Sequence, residues 1–381
     1  MKVLYYSPVI NEPTGGGTHA RGLVGGFEAG GHEVLTIPAL ASPDGRAGAH
    51  VPGSGALPDS VKAYGREVRA HRRRARDATS AIAAMEAFGP DVLVVRRPAY
   101  DLVADSLVER AGCPVVAETN AVYATECLAW GERLLPREVA RERALYRRAT
   151  VVSCVSEEVA AEVRAFADLT ASVRAVPNGV DVRVFSPSTA PEPAAARWAA
   201  DFDAVVAYCG GIGPLHDIVT LARAAALVTA TGASVGFLFV GIEPDRAPGI
   251  LEPAVLERTL VAGLVPHSQV PAWLRAADVC WAAFPYDYPS PLKVYEYLAL
   301  GVPIVTAGRG LPARVTTESG GGLAVEREDH EAVAAAVLGL VEDPASRQRM
   351  GAAGRAWVLA NATWARVAAA MLDGVVVTDG D

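Results

Sequence analysis

Residues 284–297 hold the densest set of groups in this chain that could meet a nucleotide. Ser290, Pro291, Leu292 and Lys293 open a predicted helix. The unpaired N–H groups and positive dipole end of a helix N-terminus suit a phosphate. Lys293 adds a cation, and Glu296, a lone acid further along the same helix, can accept hydrogen bonds from sugar hydroxyls. Phosphate and ribose together mark a nucleotide. An apolar strand over 278–284 leads into this segment through a loop of Pro, Tyr and Ser. Gly301 ends the helix, and a further apolar strand follows.

Other groups stand where further strands end. Gly15-Gly16-Gly17-Thr18-His19-Ala20 has the G-x-G-x-x-A spacing of a dinucleotide fingerprint. Two features oppose it: residues 7–14 separate the glycines from the strand, and Ile37, Pro38 and Ala39 stand where a ribose-binding acid should be. The expectation is a flexible glycine loop whose backbone approaches a ligand closely. A plain turn and a nicotinamide-dependent oxidoreductase are the alternatives. The loop 209–217 repeats the theme: Gly210 and Gly211 clear space, and a helix opens at His216 or Asp217. A lone histidine such as His216 is more often structural. Gly241 and Gly263-Leu264-Val265 end two more strands, either to pair with a planar base or as simple turns. Arg96-Arg97 and Glu118-Thr119-Asn120 close two strands of the first half. Adjacent arginines are costly to bury unpaired, so they face either Glu118 or a ligand phosphate.

Strand-like and helix-like runs alternate along the chain. Short β-branched runs at 2–6, 33–37, 91–95, 114–117 and 151–155 are separated by helical spacing over 18–28, 60–87, 100–111 and 136–148. This is the pattern of a parallel sheet covered by helices. Residues 38–59 form the longest expected loop. After Val176-Pro177-Asn178-Gly179-Val180-Asp181 and a Pro/Ser/Thr/Ala linker, the pattern restarts at 204–209. The expected α/β architecture is two Rossmann-like, doubly wound domains facing a cleft, at 1–184 and 185–358, followed by a segment at 359–381.

Composition narrows the function classes. The 381 residues are 51% hydrophobic, enough for two cores, and their net charge of −8 argues against a nucleic-acid binder. Residues 1–185 balance 22 Lys/Arg against 22 Asp/Glu, so the acidic excess lies in the second half. The run Arg69, Arg72, Arg73, Arg74, Arg76 is either a solvated helix face or a weak peripheral contact with an anionic membrane. No apolar run approaches the ~18 residues that span a bilayer. The start Met1-Lys2-Val3-Leu4-Tyr5-Tyr6 fits a first strand rather than a cleaved leader. Five widely spaced cysteines without a C-x-x-C pair point to a reducing cytoplasm, with no metal site.

Taken together, the glycine loop, Glu118-Thr119-Asn120-Ala121, Val176 to Asp181, Gly210-Gly211 and Ser290 to Tyr297 resemble the retaining glycosyltransferases of family 4. The resemblance covers nearly the whole chain. It implies a GT-B fold, with the helix after Trp364 crossing back to the first domain, the acceptor in the first domain and the donor in the second. It implies a nucleoside diphosphate sugar as donor, expected to be a UDP-sugar, and no cofactor. The donor would be bound by Gly16, Gly17, Gly210, Gly211, Leu264, Val265, Ser290, Pro291, Leu292, Lys293 and Glu296. Glu296 would hold the ribose, residues 291–293 the phosphates, and Leu264 and Val265 the base. Lys293, Glu296 and His216 are the expected catalytic residues, and Arg96, Arg97, Glu118 and Asn120 the acceptor residues.

The chain leaves the family pattern at two places. The first glutamate of the family's paired-glutamate motif falls on Tyr288, and the usual basic pair of the second glycine loop falls on Gly211 and His216. A subgroup with Ser-Pro-Leu-Lys and a histidine in that loop shares these changes. The expected activity is retaining transfer to a hydroxyl of a small soluble acceptor, such as an aminoglycoside or another secondary metabolite. A lipid-linked envelope glycan as acceptor and a non-catalytic nucleotide-sugar binder are the alternatives.

Overall fold

The computed structural model describes residues 1–40, 59–129, 131–169, 172–213 and 215–375, except the side chains of 59–63, 70 and 73–75. Most of the loop expected over 38–59 therefore lies outside the described residues, as do the side chains of Arg73 and Arg74. The chain divides into two compact units, one of Met1–Pro177 with the chain from Trp364 onward, the other Asn178–Thr363.

The first unit runs β1 (Lys2–Tyr6), α1 (Gly15–Ala29), β2 (Glu33–Ile37), α2 (Asp59–Phe88), β3 (Val92–Arg96), α3 (Leu102–Arg110), β4 (Val115–Thr119), α4 (Tyr123–Ala129), α5 (Pro136–Arg148), β5 (Val151–Cys154), α6 (Glu157–Ala167) and β6 (Val173–Ala175). Its parallel sheet has the order β2-β1-β3-β4-β5-β6. β1, β3, β4 and β5 are buried along nearly their whole length, as parallel strands covered on both faces must be.

The second unit runs α7 (Pro193–Ala199), β7 (Ala204–Cys209), α8 (Ile218–Ala230), β8 (Val235–Val240), α9 (Pro253–Leu256), β9 (Thr259–Gly263), α10 (Val270–Leu274), β10 (Val279–Ala283), α11 (Leu292–Ala299), β11 (Ile304–Ala307), α12 (Gly310–Glu318), β12 (Gly322–Val325), α13 (His330–Glu342) and α14 (Pro344–Asn361). Its sheet order is β12-β11-β10-β7-β8-β9, again parallel throughout. Trp281 stacks on Phe237 on one face of this sheet, at 5.6 Å and 14°. Residues 178–185 belong to this unit physically: Val180 bridges to Thr363, and Phe185 is 1% exposed in its core.

α15 (Trp364–Leu372) returns to the first unit and packs on α1. The seat is made by glycines. A Cβ on Gly22 would lie 2.1 Å from the Trp364 indole, and one on Gly26 would lie 2.3 Å from its carbonyl oxygen.

One local expectation changes. The three glycines form the first turn of α1 instead of a loop before it, because Thr14 caps the helix and its Oγ1 accepts the Gly17 N–H. Arg69, Arg72 and Arg76 lie exposed on α2. Among the described residues, no helix is long and apolar enough to cross a membrane.

Candidate active site

In the second sheet the strand order reverses between β7 and β10. Loops leaving the carboxyl ends of two such strands diverge, and the crevice between them is where doubly wound sheets bind ligands. The two segments here are 210–213 with 215–217 after β7, and 284–291 after β10. They bring Gly210, Gly211, His216, Ser290 and Lys293 into one neighbourhood.

Lys293 is the second residue of α11 and only 8% exposed. Its Nζ donates to the Tyr208 hydroxyl at 3.2 Å, lies 4.3 Å from that ring's centroid, and stands 3.3 Å from His216 Nδ1. Burial pushes the ammonium down to about 8, against the opposing pull of Cys209 and Glu296. Burial and the Lys293 charge hold His216 down at about 3, so its ring is neutral at pH 7 and can accept from the ammonium. Burial pushes Tyr208 upward, and its hydroxyl donates to the Gly211 carbonyl at 2.9 Å.

Gly210 makes this packing possible. Its φ is +149°, and a Cβ there would lie 2.5 Å from Lys293 Nζ and 3.0 Å from the Tyr208 hydroxyl. Its N–H donates to the Val240 carbonyl at 2.8 Å, and the Gly241 N–H to the Gly263 carbonyl at 2.8 Å, so the ends of β7, β8 and β9 are tied together. No side chain caps α11, whereas Asp217 caps α8 through the Thr220 N–H at 3.1 Å.

Glu296 lies further along α11, 6% exposed. Its Oε1 is 2.6 Å from Nε2 of His267, which sits in the 3-10 turn His267–Gln269 after β9. The loop before α11 is fastened from another direction. The Asn178 N–H donates to Ser290 Oγ at 2.9 Å, and its side-chain amide donates to the Ser290 carbonyl. Val265 packs against the core of this unit, while Leu264 is 70% exposed. Tyr288 lies beside Tyr286, with ring centroids 5.6 Å apart.

The first unit gathers a second group, where its sheet reverses between β1 and β3. Glu118 is 5% exposed, and three side chains surround it. His19 Nε2 lies 2.7 Å from Oε1, Arg96 Nη1 lies 3.6 Å from Oε1, and the Tyr5 hydroxyl donates to Oε2 at 2.7 Å. Burial pushes the carboxyl up, but His19, Arg96 and Tyr5 outweigh it and hold Glu118 at about 2. Arg96 Nη1 also donates to the Gly16 carbonyl at 3.1 Å, which ties the first turn of α1 to β3. A Cβ on Gly17 would lie 2.1 Å from the Glu12 carbonyl oxygen. The side-chain oxygen of Asn120 is buried without a hydrogen bond.

Arg97 is not part of this group. Successive residues of a strand point to opposite faces. Arg97 pairs with Asp105 at 2.6 Å and Glu138 at 2.7 Å, its side chain 1% exposed. Of the two partners weighed for the arginine pair, Glu118 is met by Arg96 alone.

Sequence reasoning missed His267, Tyr208, His19 and the fastening role of Asn178. His267 stands two residues beyond Val265, itself singled out, and that proximity was the available signal.

Residues 13–209 match the family model described as Glycosyltransferase Family 4, and residues 203–343 the model described as Glycosyl transferases group 1. A GDP-mannose-dependent alpha-(1-6)-phosphatidylinositol dimannoside mannosyltransferase of Mycobacterium tuberculosis is 28% identical over 197 residues, 52% of this chain and 50% of the relative. A GDP-mannose-dependent monoacylated alpha-(1-6)-phosphatidylinositol monomannoside mannosyltransferase of Corynebacterium glutamicum is 31% identical over 203 residues, 50% of this chain and 52% of the relative. The chain spans about half the length of these curated relatives. Among solved structures, sucrose-phosphate synthase from Thermosynechococcus elongatus superposes with a TM-score of 0.72 at 19% identity, covering 97% of both chains. Anabaena HepE, solved in complex with UDP and glucose, gives 0.66 at 13% identity and 98% coverage of both. These likenesses show the fold, and it is the GT-B fold the sequence led us to expect.

Proposed function

Because the chain belongs to glycosyltransferase family 4, whose model its residues 13–209 match, we propose that it transfers a glycosyl group from a nucleoside diphosphate sugar with retention at the anomeric carbon. The observation that carries this reading is the buried ammonium of Lys293 on the first turn of an uncapped helix, with Gly210 cleared above it. The hydrogen-bond partners of the ammonium, Tyr208 and His216, are neutral and Glu296 acts on it without a direct ion pair, so a diphosphate would supply a closer counter-ion. Glu296 on the same helix suits the ribose, and Leu264 and Val265 suit the base. The second unit is therefore the donor unit in this reading.

The chemistry is front-face displacement. The bond from the anomeric carbon to the diphosphate oxygen breaks. The acceptor oxygen bonds to that carbon on the same face, and the departing oxygen takes the acceptor proton. Lys293 and the helix N-terminus stabilise charge on the departing diphosphate, and the rest of the site holds the reactants in register. His216 acts here by remaining neutral, leaving the Lys293 charge for the ligand. In the first unit, Arg96 and Asn120 face the acceptor, Glu118 acts through Arg96 and His19, and Arg97 braces the sheet. The five free cysteines support a reducing compartment such as the cytoplasm.

We take a UDP-sugar as donor and a small hydroxylated acceptor, such as an aminoglycoside. The relatives named for GDP-mannose and phosphatidylinositol mannosides favour a second reading, mannosyl transfer to a glycolipid. Release of nucleoside diphosphate from a panel of UDP- and GDP-sugars, with soluble and lipid acceptors in parallel, separates the two. Undiminished turnover by both Glu296→Ala and Lys293→Ala would sink the donor-site reading.

A further inference from the structure

The contact between Glu296 and His267 goes beyond a single ribose-binding acid. Glu296 is buried, so its carboxylate must be oriented by something other than water. Oε1 lies 2.6 Å from His267 Nε2, which donates to it. The imidazole is itself held: its centroid lies 5.2 Å from that of Phe185, a core residue 1% exposed. The exposure is lopsided, 40% for the His267 side chain against 7% for that of Glu296. The histidine therefore forms the open rim of the pair and the carboxylate its floor.

We propose that His267 is a positioning residue for Glu296, and that the ribose is read by this pair rather than by the carboxylate alone. This rests on the nucleotide-binding reading given above. A carboxylate offers about four lone-pair directions, and its rotation about the last side-chain bond is broad. One hydrogen bond from a fixed imidazole removes that freedom before a ligand arrives. The remaining lone pairs then stand ready for the two neighbouring hydroxyls of a ribose, and less ordering is left for binding to cost. The same arrangement makes the site selective. A 2′-deoxyribose leaves a buried, pre-aimed acceptor without its donor, and sites built to hydrogen-bond a hydroxyl reject analogues that lack it.

The experiment is titration calorimetry of the full chain with UDP and GDP, each against its 2′-deoxy counterpart, for wild type, His267→Ala and His267→Gln. In the wild type, the ribonucleotide should bind about tenfold or more tightly than the deoxynucleotide. In His267→Ala the ratio should shrink to within about threefold, through weaker ribonucleotide binding and unchanged deoxynucleotide binding. His267→Gln can still donate to Glu296 and should keep most of the wild-type ratio. If His267→Ala keeps the wild-type ratio, or weakens both ligands equally, the inference is overturned while nucleotide binding stands. A wild type that binds neither diphosphate overturns the nucleotide reading and this inference with it.

Discussion

Lys293 Nζ and His216 Nδ1 stand 3.3 Å apart, one a cation held down at about 8 and the other an imidazole held down at about 3. The two shifts share burial as their first cause, and the Lys293 charge adds to the second. Each makes stability rise with pH, in a different window.

For Lys293 the folded value lies below the ordinary 10.5. The unfolded chain therefore binds more protons between about 8 and 10.5, and stability rises with pH across that window. Ligand affinity should run the other way, since a diphosphate needs the charged form. UDP or GDP binding should weaken as pH rises above about 8. Lys293→Met should bind about 10- to 100-fold more weakly and lose this pH dependence. Its melting temperature without ligand should be unchanged or higher, because an apolar side chain replaces a buried charge. Calorimetry and thermal melts from pH 6.5 to 10 check both parts.

For His216 the folded value lies below the ordinary 6.5. The unfolded chain binds a proton that the folded chain refuses between about 6.5 and 3, so stability is lost as pH falls through that range. His216→Gln cannot titrate there. Its urea midpoint should fall less steeply than that of the wild type between pH 6.5 and 4.5, and an identical slope would count against a neutral His216.

Gly210→Ala would place a methyl group 2.5 Å from Lys293 Nζ at a φ of +149°. The lysine end can move, so the fold should survive with a loss of about 1–3 kcal/mol. The ammonium would be displaced, and nucleotide affinity should drop by about tenfold or more. Far-UV circular dichroism together with calorimetry tests the two halves; full affinity in the folded variant would remove Gly210 from the site.

The neighbours Arg96 and Arg97 should behave differently. Arg97→Met removes the cation of the partly exposed Asp105 and one of the two arginines on buried Glu138, which keeps Arg141 and the Tyr100 N–H, and should cost about 3 kcal/mol in urea unfolding. Arg96→Met releases the Gly16 carbonyl and one partner of Glu118, whose His19 and Tyr5 contacts remain. It should lower turnover more than stability. Measured kcat/KM and unfolding free energy for both variants should therefore rank them in opposite order.

Much of this arrangement was visible in residue order, for a physical reason. Strands buried on both faces carry unbroken apolar runs, so β1, β3, β7 and β10 announced themselves, and the glycine and Ser-Pro-Leu-Lys segments mark where they end. What stayed hidden depends on which way a side chain points. Arg96 and Arg97 are chemically identical neighbours, and only the pleat separates a site residue from a brace. His267 meets Glu296 across 29 positions of chain, a contact no local spacing encodes. Asn178 lay within a recognised turn, but its target, Ser290, lies 112 positions away. The three glycines read as a flexible loop because their backbone is permissive, yet the Thr14 cap and Arg96 hold them as the start of α1.

The seat of Trp364 on Gly22 and Gly26 bears on how the chain is made. His19, one turn from Gly22, meets the Trp364 ring edge-on at 5.4 Å, so the helix that carries the glycine turn is finished only when α15 arrives. During synthesis the first unit emerges early but must wait, with part of α1 uncovered, until the whole second unit has left the ribosome. The second unit is continuous and can fold in the interval. A nascent chain arrested before Trp364 should therefore expose a protease-sensitive first unit beside a resistant second one, and the glycine turn would be among the last parts of the molecule to mature.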